Sequence, residues 1–266
     1  MSILEAIILG LIQGLTEFLP ISSSGHLVLL PTVFDLPVPD LTMVGLLHLG
    51  TLTAVLVYFW RDLVAIAQAV LAGLIAREPM KDENGRLGWY ILVGSIPAAV
   101  AGLLFKSFFE EKFSDPTLVA AMLLVTAALL VAGEKMLSGK RTIGTMGWRD
   151  AIIIGISQMF ALMPGISRSG STIVGGLSRG LNRPDAARYS FLLGVPAIAG
   201  AGLLAMLDIF GATSAESLPI YAIGFLTAAV SGYACIHFLL SWVRKHSLYP
   251  FAIYCALFGG LFLLLG

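Results

Sequence analysis

The chain has 266 residues, of which 58% are hydrophobic and only 12% charged, and its mean hydropathy is +0.91. A soluble globular domain carries about 25% charged residues, so the composition excludes an ordinary water-soluble fold and predicts an all-α integral membrane protein. Sixteen Lys and Arg balance sixteen Asp and Glu, which leaves no basic excess to recruit nucleic acid.

In chain order, the first apolar segment, 3–34, is interrupted at "LPISSSG" (19–25). Long apolar stretches follow at about 43–60, with a continuation to 76 allowed, then at 89–108 and 117–137. A second interrupted segment, 151–181, breaks at "MPGISRSG" (163–170), and stretches at 188–209, 218–242 and 249–266 complete the chain. About 20 apolar residues are needed to cross the hydrocarbon core, so the six uninterrupted stretches are the expected crossings. The start "MSILEAII" has no basic n-region and no small-residue cleavage site, so no removable signal peptide is expected. Cys235 and Cys255 fall in apolar runs and are expected as buried free thiols.

The two interrupted segments are copies. "GLIQGLTEFLPISSSGH" (10–26) and "GISQMFALMPGISRSGS" (155–171) align without a gap, pairing Gly10 with Gly155, Gln13 with Gln158, Ser22 with Ser167, Ser24 with Ser169 and Gly25 with Gly170. Each copy precedes three apolar stretches, so the chain reads as a single membrane domain, 1–266, made of repeats at about 1–137 and 148–266. Charge fixes the expected topology. If both interrupted segments dip in and return, the loops at 77–86, 135–149, 179–188 and 244–245 share one face with twelve Lys and Arg, and the other face has only Lys106 and Lys112. If 151–181 crosses once instead, the count is seven against seven. Cytoplasmic loops concentrate Lys and Arg, so the re-entrant arrangement is expected, with both termini outside. Three full crossings per repeat then give the repeats opposite orientation. Irregular backbone at membrane depth needs protein or water around it, so the two tips should meet in a shared polar cavity near the midplane.

Each tip places Ser and Gly where a helix begins. Free N–H groups and the positive dipole end of a helix start suit phosphate. Ser22, Ser24 and Gly25 in one tip, and Ser167, Ser169, Gly170 and Thr172 in the other, are therefore the candidate substrate contacts. Arg168 offers a planar donor fork for phosphate oxygens, and an Arg at bilayer depth is functional by default. Glu17 shares a helix face with Gln13. It suits three roles: ligand of a hard divalent cation together with Gln13, general base, or partner of Arg168. His26 follows Ser23 by three residues, a spacing at which imidazole and hydroxyl can cooperate in phosphoryl transfer. His48, His237 and His246 lack such surroundings and are expected to be structural. "GEKMLSGKRT" (133–142) is no phosphate loop, since its glycines are one residue too far apart and Arg141 stands where Ser or Thr belongs. No Cys/His spacing suggests zinc.

"QGLTEFLPISSSGH" (13–26) and "PGISRSGSTI" (164–173) resemble the two signature motifs of the undecaprenyl-diphosphate phosphatase, or bacitracin-resistance, family; "YFWRDL" (58–63), "RYSFLLGVP" (188–196) and "PFAIY" (250–254) extend the resemblance along the chain. The resemblance implies two inverted repeats with re-entrant helices in the bacterial inner membrane. It implies hydrolysis of a polyprenyl diphosphate to its monophosphate, dependence on Mg²⁺ or Ca²⁺, and a site opening outward. By position it assigns the metal motif to Gln13 and Glu17, the essential Ser/His pair to Ser23 and His26, and phosphate binding to Ser167, Arg168 and Ser169, with Thr172 following. Position 13 is Gln where many members have Glu, and Cys255 stands where many have Arg. Attack by Ser23 assisted by His26 or Glu17, attack by His26, and attack by water held on the cation are all compatible with these residues. The partners implied are the lipid substrate and the bilayer; a homodimer is allowed and not dictated. The competing class is a secondary transporter or flippase, which also uses inverted repeats and broken helices. A non-catalytic membrane scaffold would not need polar tips. The acid-phosphatase-like lipid phosphatases are excluded, because Gly176 stands where their motif needs Lys ahead of Arg183–Pro184.

Overall fold

The computed structural model describes residues 1–34, 39, 41–212 and 218–265. Among the described residues twelve α-helices run in order: α1 (Ile3–Phe18), α2 (Ser23–Phe34), α3 (Leu41–Tyr58), α4 (Trp60–Ile75), α5 (Glu83–Leu104), α6 (Lys106–Lys112), α7 (Pro116–Met136), α8 (Trp148–Phe160), α9 (Arg168–Ser178), α10 (Arg183–Ala212), α11 (Leu218–Trp242) and α12 (Tyr249–Leu265). Among the described residues α5, α7 and α11 are each long and apolar enough to cross a bilayer, and α3 with α4 pass jointly despite a 78° bend between them. The stretch expected at about 43–60 ends in a break at Phe59, and its allowed continuation to 76 is a separate helix, α4, set at that bend. Beyond the break, Asp62 of α4 is tied to Arg188 of α10 by a 2.8 Å contact. Large apolar side chains stay exposed around the bundle, among them Leu103 and Leu104 on α5, Val230 on α11 and Leu257 and Leu264 on α12. Such a surface would aggregate in water; lipid is its solvent, and the chain is a multi-pass membrane protein.

Local chemistry sets the helix ends. Ser2 and Glu5 form a capping box at the start of α1. Leu19 is extended ahead of Pro20 and ends that helix. Asp115 caps α7, with Pro116 in its first turn. The Ser167 hydroxyl accepts from the Gly170 N–H, 3.1 Å, and starts α9. Helices α1 and α8 begin at residues 3 and 148, and α2 and α9 at 23 and 168, so both pairs of starts keep one offset.

Close helix contacts run through glycine. A Cβ on Gly14 of α1 would lie 2.0 Å from the Ser231 hydroxyl of α11, and one on Gly155 of α8 would lie 2.3 Å from the Gly94 carbonyl of α5. Small residues let membrane helices approach backbone to backbone. Helices α8 and α9 lie side by side, with Ile154 and Ser157 against Gly175, so segment 148–178 doubles back on itself.

One end of the bundle is held by buried acids. Asp150 accepts two bonds from Arg141, at 2.6 and 3.1 Å, and one from Arg179 at 2.8 Å. Glu134 pairs with Arg183 and accepts from the Leu248 N–H at 2.8 Å. The hydrogen bond to Asp150 holds the Arg141 guanidinium above its already basic range, so this contact keeps its charge at any working pH. Together these bonds fix the ends of α7 to α10 and anchor the α8–α9 hairpin from below.

Candidate active site

The two tips meet. Ser169 donates across to the Leu19 carbonyl at 3.0 Å, the Gly165 N–H donates to the Ser24 hydroxyl at 3.3 Å, and Arg168 Nη2 donates to Glu17 Oε1 at 3.1 Å. Thr126 of α7 clamps the second tip, accepting from the Ser167 N–H and donating to the Gly165 carbonyl, both at 3.0 Å. Beside this junction lies a cavity of about 310 Å³, walled by Glu17, Ser22, Ser23, Ser24, His48, Ser167 and Arg168 and rimmed by Lys106, Phe109, Glu110 and Phe113 of the α6 region.

Glu17 is the hub. Ser23 Oγ donates to its Oε2 at 2.5 Å, Gln13 Nε2 donates to the same oxygen at 3.1 Å, and Arg168 holds the other oxygen. A carboxylate this buried needs such partners, since an unpaired one is costly. Arg168 Nη1 donates to the Ser190 carbonyl at 3.3 Å, and its Nε is buried without a partner. Gly194 of α10 makes room for this guanidinium, because a Cβ there would lie 2.3 Å from Nη1. Ser22 has a φ of +72°, a left-handed conformation unusual for a residue with a side chain. In it the Ser22 hydroxyl meets the Ser24 hydroxyl at 3.1 Å and accepts from the Gly25 N–H at 3.2 Å. Backbone strain of this kind concentrates at functional sites.

Several residues singled out in the sequence lie behind the cavity rather than on its wall. Both ring nitrogens of His26 are engaged away from Ser23 and Glu17: Nδ1 with the Ser22 carbonyl and Nε2 with the Tyr254 hydroxyl, each at 2.7 Å, while the ring packs beside the mutually contacting rings of Tyr254 and Phe258. Nδ1 faces a carbonyl and so carries its proton there, and the two contacts together lock the ring. The Thr172 hydroxyl is spent on the Arg168 carbonyl and Ser190 Oγ, at 2.8 and 2.6 Å. Ser169 is buried against Leu19, and Gly25 and Gly170 have their N–H groups capped by Ser22 and Ser167. These groups shape the tips.

The imidazole that does face the cavity is His48, expected to be structural. Its Nδ1 donates to the Val44 carbonyl at 2.8 Å, which turns Nε2 towards Glu17 Oε2 at 3.8 Å. His237 and His246 are engaged elsewhere, by Tyr58 and Trp242. Both cysteines are free and buried as expected.

Among the described residues no group of three or more His, Cys, Asp or Glu could hold a metal unaided. The residues present still fit a substrate-borne divalent cation. Gln13 lies behind the cavity wall, its Nε2 donating to Glu17 and its Oε1 a buried oxygen without a partner. Mg²⁺ is commonly held by one or two carboxylates plus substrate phosphates.

Apolar spanning helices around a polar cavity built from two broken hairpins define a multi-pass membrane protein with an internal, anion-suited site. The chain belongs to the bacitracin resistance protein BacA family, whose profile matches residues 6–261. It is 44% identical over 272 residues to a Thermomicrobium roseum protein named undecaprenyl-diphosphatase, covering 99% of this chain and 98% of that one. Proteins of the same name from Myxococcus xanthus (44% over 265 residues, 100% and 89% covered) and Methanosphaera stadtmanae (43% over 268 residues, 97% and 96% covered) are similar along their lengths.

Proposed function

We infer that this protein is an undecaprenyl-diphosphatase: it hydrolyses a polyprenyl diphosphate to the monophosphate and inorganic phosphate, the step that recycles the lipid carrier of cell-wall synthesis. The observation that carries the reading is the Ser23–Glu17–Arg168 contact on the cavity wall, in a chain similar throughout to proteins of that name. The diphosphate lies in the cavity with its prenyl tail in the bilayer. Arg168, with Ser22, Ser24 and Ser167 beside it, takes the phosphate oxygens. Ser23 Oγ attacks the terminal phosphorus as its proton passes to Glu17 Oε2, already 2.5 Å away. The bond to the bridging oxygen breaks, and the prenyl monophosphate leaves. Water then attacks the phosphoserine, releasing phosphate and restoring the hydroxyl. A divalent cation held by Glu17 and Gln13 would neutralise charge on the phosphates. His48 Nε2, not His26, is the imidazole near these groups.

The finer architecture belongs to the same proposal. Segments 1–34 and 148–178 are re-entrant hairpins entering from opposite leaflets of the bacterial inner membrane, in two inverted repeats. The reading is supported by the constant offset of their helix starts and by the exchange of partners, α1 on α11 and α8 on α5. The rim at α6 lies on the face poor in Lys and Arg, so the cavity opens to the periplasm. A transporter would not need a serine hydroxyl aimed at a buried carboxylate.

The test is phosphate release from undecaprenyl diphosphate by detergent-purified protein, where transport is impossible, with and without a chelator. Release that the chelator abolishes and Mg²⁺ or Ca²⁺ restores is expected. No release under any metal condition would refute the reading.

A further inference from the structure

Among the described residues two cationic side chains line the cavity, Arg168 and Lys106. Arg168 is committed to Glu17 and to the Ser190 carbonyl. Lys106 is not: its Nζ lies 3.6 Å from Glu110 Oε1, and the two side chains are 58% and 50% exposed. An exposed pair at that separation is weak. Among the described residues that line the cavity, the charges of Glu17 and Glu110 offset those of Arg168 and Lys106. A diphosphate brings several negative charges at once and outcompetes the single carboxylate of Glu110 for a flexible ammonium. Phe109 and Phe113 wall the same rim and lower the local dielectric around that exchange.

We propose that Lys106 is a substrate-positioning residue which leaves Glu110 for the terminal phosphate of the diphosphate, and that Glu110 competes with the substrate for it. This rests on the phosphatase reading and adds to it the group that favours two phosphates over one. Hydrolysis removes the terminal phosphate that Lys106 holds, so the product loses this contact and departs.

Kinetics in detergent test this. Lys106→Ala should raise the apparent KM for undecaprenyl diphosphate about tenfold with kcat within about twofold of wild type. Lys106→Arg should recover most of the loss. Glu110→Gln should lower the apparent KM a few-fold. The gap between wild type and Lys106→Ala should shrink at high salt, because a rim contact is screened. Inhibition by undecaprenyl phosphate should barely change in Lys106→Ala. An unchanged KM in Lys106→Ala, a loss confined to kcat, or failure of Lys106→Arg to rescue would each overturn the proposal while leaving the activity of the wild type intact. An inactive wild type would instead sink the functional reading and this inference with it.

Discussion

Gly194→Ala should disable the site without disturbing the fold. A Cβ at 194 would stand 2.3 Å from Arg168 Nη1, 2.8 Å from Cζ and 3.0 Å from Nη2. The obstacle is the far end of a flexible side chain, so helix α10 stays and the guanidinium retreats, by about 1 Å to reach ordinary contact distance. That movement breaks the 3.1 Å bond from Nη2 to Glu17 and misaims the donor fork that receives phosphate. A misplacement of about 1 Å typically costs about 100-fold, or about 2.7 kcal/mol of transition-state stabilisation. Alanine is a better helix former than glycine by about 1 kcal/mol, so the thermal midpoint should hold or rise. Phosphate release from undecaprenyl diphosphate gives kcat/KM, and a melt of the same sample gives the midpoint. A kcat/KM within about threefold of wild type would show that Arg168 needs no such precise seat.

Ser23→Ala should lower kcat by at least about 1,000-fold with folding unchanged, since it removes the nucleophile; near-normal turnover would eliminate the serine route. His48→Leu should cost about tenfold or more in kcat at an unchanged midpoint, because its Nε2 faces the cavity. His26→Leu should chiefly lower the midpoint, as the Ser22 carbonyl and Tyr254 hydroxyl each lose a bond worth about 1 kcal/mol; lost activity at an unchanged midpoint would return His26 to the chemistry. Asp150→Asn should destabilise the protein by about 3 kcal/mol, as breaking a buried charge pair does, and thermal melts in detergent would read it.

The breaks in the two hairpins were legible because each joins a proline to a Ser/Gly run: Pro20 follows the extended Leu19 that ends α1, whereas Pro31, Pro97 and Pro196, without such a run, stand inside α2, α5 and α10. The gapless alignment of the tips carried over to helix starts at a single offset. Spacing failed at His26. A separation of three residues predicts a shared face only when both residues sit within one regular helix, and Ser23 is the first residue of α2, following a left-handed Ser22. Its hydroxyl turns to Glu17 while His26, inside the helix, points to α12. His48, Thr126 and Lys106 sit on helices distant in sequence from either motif, so only the packing of α3, α6 and α7 around the tips brings them to the site. Gly194 left a faint signal, a glycine in an apolar helix that pays an entropic cost for no visible turn.

The two tips share one helix-start offset and differ in chemistry. At the common offset, Ser23 corresponds to Arg168 and Glu17 to Leu162, and all four line the cavity. Two carboxylates there would repel the diphosphate, and two arginines would leave a buried charge uncompensated. In the proposed mechanism one acidic tip supplies the nucleophile and one basic tip receives phosphate, which meets both requirements with the single Glu17–Arg168 ion pair. A variant that restores the symmetry, Leu162→Glu, should therefore draw Arg168 away from Glu17 and lose substrate affinity as well as turnover. If it instead gained metal affinity and kept its turnover, the division of labour between the tips would be wrong.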